Sequence, residues 1–418
     1  MPDWVQQVLT SNWTWAILAI ILGYCFALVG APIYVWLERR GAGIIQQRPG
    51  PNRRGPYGLL QLIADAIKLA LKEDVVPSAA NKWLHGFAPM ITVIVALSTF
   101  AVVPFSLDFQ LFGETFRLQV ADLNFGIIYI LAISSISVYS GTLAGWSSNN
   151  KYSLLGGLRA GAQMISYEIS MGLAIVSLML VYGSVRLSDM VAAQTGSIWN
   201  MGVFQVPLGF LIYLVAAFAE TNRTPFDLVE ADSELVAGFF TEYSSFKFTL
   251  FFMGEYMHMA MAALMIPILF FGGPSLPWAD AGTYLSLFPV VMFVIAALCG
   301  LLAFDTSRPK RRVYSKGNLV FAGILGAVAV VCVAIGLHFL FTDVEGTMPW
   351  LATLAGVAVQ LSVLAAKFAF FFWFFIWVRW TVPRFRYDQL MNLGWKVLLP
   401  LGLFNIALTS VLVLWGWL

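Results

Sequence analysis

The chain has 418 residues, 60% of them hydrophobic and 11% charged, with a formal charge of +2 and a mean hydropathy of +0.81. This composition excludes a soluble globule and indicates a polytopic membrane protein. The cations are scattered over separate loops, so the small positive balance does not point to a nucleic-acid partner.

The N-terminus carries neither a positive n-region nor a small-residue cleavage site, so no removable signal peptide is expected. Apolar runs long enough to span a bilayer, about 20 residues each, fall near 13–37, 86–105, 123–146, 160–183, 204–222 and 247–273. Four more lie near 284–306, 318–342, 350–378 and 398–417, which makes about ten spans. With residue 1 outside, the loops 38–85, 147–159, 223–246, 307–317 and 379–397 fall inside. Together with Lys247 at a loop edge, they hold all but Arg117, Arg186 and Lys367 of the 24 Lys and Arg. The positive-inside rule thus orients the chain with its content-rich loops in the cytoplasm and both termini outside. The fold class is all-α, and a partner on the cytoplasmic face is expected.

Cys25, Cys299 and Cys332 lie far apart in apolar runs, and His85, His258 and His338 lie on three different segments. Neither a Cys-ligated cluster nor a haem pair is expected in this chain, so no metal site is assigned and redox centres would belong to partners.

The first inside loop opens with the Gly- and Pro-rich stretch GAGIIQQRPGPNRRGPYG at 41–58, a shaped, turn-rich connection. In the following segment Leu59, Ile63, Ala66, Ile67, Ala70 and Leu71 share one helical face. Gln61, Asp65, Lys68 and Lys72 form the opposite stripe. Too short and too charged to span, it is predicted to lie in the interface as an amphipathic helix. It is either a simple anchor, which periodicity alone favours, or a lid beside an opening to lipid, with Glu38, Arg39 and Asp65 near the entrance.

The stretch AETNRTPFDLVEADSELVAGFFTEYSSFK at 219–247 is the anomaly. It carries Glu220, Asp227, Glu230, Asp232, Glu234 and Glu242 against only Arg223 and Lys247, on a face whose charge should be positive. Thr224-Pro225-Phe226-Asp227 is predicted to start a helix, with Thr224 as cap and Pro225 in the first turn. Asp227, Glu230 and Glu234 would then share a face as plausible proton carriers. A solvated helix face, or a docking surface for a basic partner, accounts for the spacing equally well.

The intramembrane acids shift that balance. Glu168 lies well inside its span, Glu255 inside the next but one, and Glu220 at the inner end of 204–222. A charge at the bilayer centre costs about 2.5–3.5 kcal/mol on insertion scales. Each is therefore expected to be neutral, paired or solvated, with Lys367 and Arg379 as candidate counter-charges. As a set they read as a proton or cation path.

At these residues the chain resembles the H-type, quinone-site membrane subunit of bacterial NADH–quinone oxidoreductase (respiratory complex I). The resemblance is carried by LERR at 37–40, RPGPNRRGPYGLLQLIADAIKLALKED at 48–74 and GWSSNNKYSLLGGLRAGAQMISYEISMGL at 145–173. It continues through AETNRTPFDLVEADSELVAGFFTEYSSFKFTLFFMGEY at 219–256 and RWTVPRFRYDQLMNLGWKVLLPL at 379–401. The resemblance implies tilted helices at the membrane end of a quinone tunnel, with ubiquinone or menaquinone as substrate and nothing bound covalently. It implies FMN and iron–sulfur clusters in partner subunits, proton translocation in a respiratory chain, and a place in the cell inner membrane. Glu38, Arg39, Asp65, Phe226, Asp227 and Tyr243 would border the tunnel. Glu168, Glu220, Glu230 and Glu234 would begin the path that couples quinone reduction to proton movement. Glu242, Glu255, Arg379, Arg384, Arg386 and Asp388 would join the charged lining or a docking surface. The rivals are the homologous membrane component of a membrane-bound hydrogenase or formate hydrogenlyase, and a stand-alone secondary transporter. The latter would be expected to show inverted repeats, which are not evident here.

Two departures from the family stand out. Arg40 stands where the family has Lys. A pair of additional spans intervenes between the helix bearing Glu255 and the equivalent of 350–378, in a family whose core has eight spans. Three regions result: a tunnel and proton-path core over 1–283, an inserted transmembrane hairpin over 284–345, and a C-terminal pair of spans with a basic loop over 346–418. The hairpin is expected to pack on the periphery; the sharper alternative is a docking site for lipid or a further subunit, through RPKRRVYSK at 308–316.

Overall fold

A computed structural model describes residues 11–52, 55–227, 236–279, 281–307, 315–342 and 344–417. Among them, nine helices are long and apolar enough to cross a membrane: α1 (Trp13–Ile45), α3 (Lys82–Phe100), α4 (Gly126–Ser147), α5 (Lys151–Tyr182), α8 (Ser245–Phe270), α9 (Ala281–Ser307), α10 (Ser315–Phe341), α11 (Pro349–Thr381) and α12 (Tyr387–Leu414). The tenth predicted span is a shorter helix, α7 (Pro207–Glu220). The interfacial helix is α2 (Leu60–Ala70), and the outer loops add a short helix, α6 (Leu187–Ala193), and one two-stranded ribbon. The end of the bundle that carries the basic loops is called the inner end.

The local reasons lie in a few residues. In α1 the helix widens over Cys25–Val29, and Phe26 finds a partner for its carbonyl in the Tyr34 hydroxyl at 2.9 Å. A Cβ at Gly30 would meet that hydroxyl at 2.6 Å, so only glycine lets the tyrosine fold back. Helices α4 and α5 approach along a seam of small residues, where a Cβ on Gly157 would strike the Gly141 carbonyl at 2.6 Å. Helix α8 is the axle of the bundle, with 78% of its apolar window buried, against 17% for α9 and 6% for α10. The latter two therefore form a hairpin at the edge. It leans on α11 through Tyr284, Phe288, Ala355 and Val359.

Helix α2 has no buried residue. Its apolar face points outward, with Ile63, Ile67 and Leu71 exposed. Its other side is tied to the start of α8 through Ser245, whose hydroxyl donates to the Leu69 and Lys72 carbonyls. That is the geometry of a helix lying in an interface rather than crossing it.

At the outer end, Phe109–Leu111 and Glu114–Phe116 pair antiparallel across a two-residue turn at Phe112 and Gly113, both with positive φ. Trp15 packs edge-on against Phe109, with ring centroids 5.0 Å apart, which closes the outer side of α1. Beside the ribbon, Arg117 binds Asp108 and, at 2.6 Å, Asp122; Arg186 also clasps Asp122, and Ser188 donates to it at 3.3 Å. The Arg186 guanidinium first, then the charge of Arg117, holds the Asp122 carboxyl below its ordinary 3.8 against the opposing effect of burial. A depressed carboxyl contributes stability above its unfolded value and loses it as pH falls through the folded one. The exposed pairs each contribute at most about 1 kcal/mol. Thermal stability in detergent should therefore drop as pH falls below about 4, and Asp122→Asn should flatten that slope while leaving neutral-pH activity unchanged; an unaltered pH profile would remove this role.

Candidate functional site

Two arginines of the inner end converge on Glu38. Its carboxylate is buried, with the side chain 7% exposed, in the last third of α1. Arg223 reaches it at 3.3 Å from the turn after α7, and Arg379 binds the other oxygen from the end of α11. The Arg223 guanidinium also lies 4.1 Å from the ring centre of Tyr256 on α8, a cation–π contact that favours the charge where water is scarce. Two guanidiniums on one carboxylate leave this buried point with an excess of positive charge. Arg39, one residue on, points the other way, to an exposed ion pair with Asp65 of α2. The predicted grouping of Glu38, Arg39 and Asp65 at one entrance is thus corrected: consecutive helical residues lie about 100° apart, so Glu38 faces the core and Arg39 the interfacial helix.

The turn at 221–227 is fixed from several directions. Gln163 of α5 donates to the carbonyls of Ala219 and Phe226, both at 2.8 Å. Asp227, with its side chain 2% exposed, pairs with Arg384 at 3.2 Å. Phe226 stacks on Phe385, centroids 5.5 Å apart, while the Phe385 amide donates to the Pro225 carbonyl. The last inner loop therefore packs directly onto the acidic loop. Residues 224–227 form turns rather than the predicted first turn of a helix, because their polar groups are claimed by these tertiary partners. Glu230, Asp232 and Glu234, and the helix expected to carry them, lie outside the described residues.

Tyr243 belongs to a different cluster from Phe226. It stacks on His85 with centroids 4.0 Å apart, near Phe251, and its hydroxyl lies 3.3 Å from that of Ser147. Burial pushes the Tyr243 phenol up to about 12, so it stays protonated at neutral pH. Next to it Glu242 accepts from the Asn150 side chain at 2.6 Å. Arg386 and Asp388 pair with each other at the exposed start of α12 rather than lining the buried cluster.

Within the membrane, Ser135 of α4 donates to Glu168 of α5, while the neighbouring Ser134 hydroxyl donates to the Leu131 carbonyl of its own helix and lines a small cavity together with Glu220 at the end of α7. Glu220, Thr221 and His258 line two small cavities of about 30 and 40 Å³, the first of which Glu255 also borders. Each exceeds the roughly 10–15 Å³ that one water needs, and each offers polar partners. Nothing in the sequence pattern singled out Ser134, Ser135 or His258; the only signal was a hydroxyl-rich ISSIS within an apolar run. The counter-charge role expected of Lys367 is corrected. Its ammonium donates instead to the carbonyls of Phe271, Gly273 and Ser275, at 2.7, 2.9 and 2.6 Å, where α8 ends. A helix C-terminus offers free carbonyls and partial negative charge, which satisfies a buried cation without a carboxylate. Arg379 is a counter-charge, but to Glu38 rather than to the acids within the spans. Among the described residues, no group of three His, Cys, Asp or Glu side chains comes together to hold a metal ion.

A family model described as NADH dehydrogenase matches residues 17–410. The chain is 45% identical over 388 residues to an H-type NADH-quinone oxidoreductase subunit of Solibacter usitatus, covering 91% of this chain and 92% of the relative. It is 39% identical over 420 residues to the H-type subunit of Bdellovibrio bacteriovorus, covering 95% of each. It is 42% identical over 405 residues to the H-type subunit of Salinibacter ruber, covering 96% of this chain and 97% of the relative.

Glu38→Gln should destabilise the protein by about 3 kcal/mol, because it leaves two guanidiniums facing each other in a buried site. Glu38→Gln combined with Arg379→Gln should recover part of that loss. Thermal unfolding in detergent checks both, and a double variant no more stable than the single one would contradict the pairing.

Proposed function

The chain belongs to the NADH dehydrogenase family, and on that premise we propose that it is the H-type membrane subunit of a proton-translocating NADH–quinone oxidoreductase, respiratory complex I. In this reading it forms the membrane end of the quinone chamber and the beginning of the path that links quinone reduction to proton movement. The observation that carries the reading is the continuity from the buried Glu38–Arg223–Arg379 cluster, along the turn at 221–223, to Glu220, two water-sized cavities and Glu168.

The chemistry is as follows. A quinone joins an apolar tail to a polar head, so its chamber must open to lipid and lead to polar groups. Helix α2, with its apolar face outward and the Arg39–Asp65 pair on its inner side, suits such an opening. Reduction of the head by two electrons requires two protons, and it makes negative charge until they arrive. The positive excess around Glu38 favours that charge, while Glu220, which borders two water-sized cavities, and Glu168, held by the Ser135 hydroxyl, can exchange protons through water. Electrons would reach the quinone from FMN and iron–sulfur clusters of hydrophilic partner subunits, docked on the inner face against the loops that carry Asp227 and Arg384. The chain would sit in the cell inner membrane with those loops in the cytoplasm.

Glu168→Gln and Glu220→Gln should assemble normally but lower NADH-driven acidification of inverted vesicles by about tenfold or more, the scale of a lost proton-transfer group. Normal pumping in both variants would remove the coupling path. Photolabelling with an azido-quinone should mark peptides from 36–75 and 219–247; labelling confined elsewhere would remove the chamber.

A further inference from the structure

Tyr57 is out of place. It sits in the loop that leads into α2, with φ +53° and ψ 14°, a left-handed conformation that a bulky residue rarely adopts. Such a conformation persists only where the surroundings over-determine it, and here they do. Its carbonyl accepts from Trp36 Nε1 at 2.9 Å and from Arg40 Nη1 at 3.2 Å, both on α1. The Arg40 guanidinium lies 4.5 Å from the centre of its ring. Its hydroxyl donates to Asp305 Oδ2 at 2.6 Å.

Asp305 lies in the last turn of α9, on the inserted hairpin. The lower half of that hairpin is otherwise turned outward, with Leu298, Leu301 and Phe304 exposed on α9 and Leu319, Val320 and Ile324 on α10. Its apolar grip on the bundle is at the other end, where Tyr284 and Phe288 meet Ala355 and Val359. The hairpin is thus held by an apolar contact at its outer end and a polar contact with Tyr57 at its inner end. A carboxylate at the inner end of a lipid-facing helix needs a partner, and this one has the residue that introduces the interfacial helix.

We propose that the inserted hairpin is a strut for the quinone entrance: through the Asp305–Tyr57 hydrogen bond it fixes the loop before α2 and so positions α2 beside the lateral opening. Tyr57 and Asp305 are positioning residues in this scheme, acting through α2 and the Arg39–Asp65 pair rather than on the quinone head. The strut rests on the quinone-chamber reading above and adds a part to it. Loosening the contact lets α2 drift, which hinders threading of a long apolar tail but leaves the reaction of a quinone already seated unchanged. The effect is therefore a change in KM that depends on tail length.

The test uses the whole assembled complex in its own membranes, carrying Tyr57→Phe, Asp305→Ala or Asp305→Asn. Activity is followed with the short-tailed decylubiquinone and with the long-tailed quinone extracted from the native membranes; NADH–ferricyanide reduction gauges the electron-input module alone. Tyr57→Phe and Asp305→Ala should raise KM for the long-tailed quinone about fivefold, the scale of one lost hydrogen bond. kcat, KM for decylubiquinone and ferricyanide reduction should stay at the wild-type level. Asp305→Asn keeps an acceptor oxygen and should restore the wild-type KM. If Asp305→Ala does not assemble, the isosteric Tyr57→Phe carries the test. Equal KM changes for both tails, or none, would overturn the strut. If an azido-quinone labels 36–75 and 219–247 while these variants behave as wild type, only the strut falls; if the labelling is confined elsewhere, the chamber reading falls with it.

Discussion

A carboxylate placed in an apolar interior must be answered by cations, and in this protein that requirement falls on Glu38. Its two guanidinium partners come from parts of the chain far apart in sequence, Arg223 after α7 and Arg379 at the end of α11. Meeting the charge therefore draws α1, α11 and the turn at 221–227 to one point beside the axial helix α8. Leaving any one charge alone there would cost several kcal/mol, so the three elements are held together more firmly than apolar contact alone would hold them. Asp227 with Arg384, and Gln163 with two carbonyls, repeat the logic a few residues on. The acidic loop consequently leaves the bundle from a fixed point.

Deeper in the membrane the acids are handled differently. Glu168 accepts from the Ser135 hydroxyl of α4, and Glu220 faces a small cavity that Ser134 also lines. A hydroxyl can donate to a carboxylate or accept from a carboxylic acid, so this lining tolerates either protonation state, as a guanidinium would not. The small-residue seam between α4 and α5 makes the arrangement possible, since close backbones let a short serine reach across. Lys367, the cation the pattern offered as a neutraliser, is held instead at the carbonyl end of α8. Charge is thus pinned by cations at the inner end, whereas Glu168 in the middle is met by a hydroxyl.

The edge hairpin shows how a peripheral element can be tied to the bundle by one polar contact. By burial it is peripheral, and apolar surface covers most of both its helices. Its polar contact with the entrance loop falls on a residue whose backbone is strained. Strain at a single tyrosine, answered by partners from both α1 and α9, ties the hairpin to the core.

Much of this was legible in the chain itself. Hydropathy determined the apolar spans, because insertion responds to segment length, a local property. The alternation of faces in 59–72 determined an interfacial helix, and the quoted blocks determined the family. Partnership was not legible. Glu38 and Arg39 are neighbours in sequence yet face opposite directions, and Lys367 and Arg379 share one helix yet satisfy a carbonyl end and a carboxylate. The turn at 224–227 carries the residues of a helix start, but tertiary partners take the Asp227 carboxylate and the Pro225 carbonyl. Periodicity reports only which side of a helix is apolar; which polar group meets which depends on how helices cross. The sequence by itself thus determined how many times the chain crosses the membrane and what kind of protein it is. Only the tertiary structure decided which carboxylates are met by cations, which by a hydroxyl, and where the hairpin touches the loop before α2, because a buried charge is satisfied by whatever packing brings within hydrogen-bond reach.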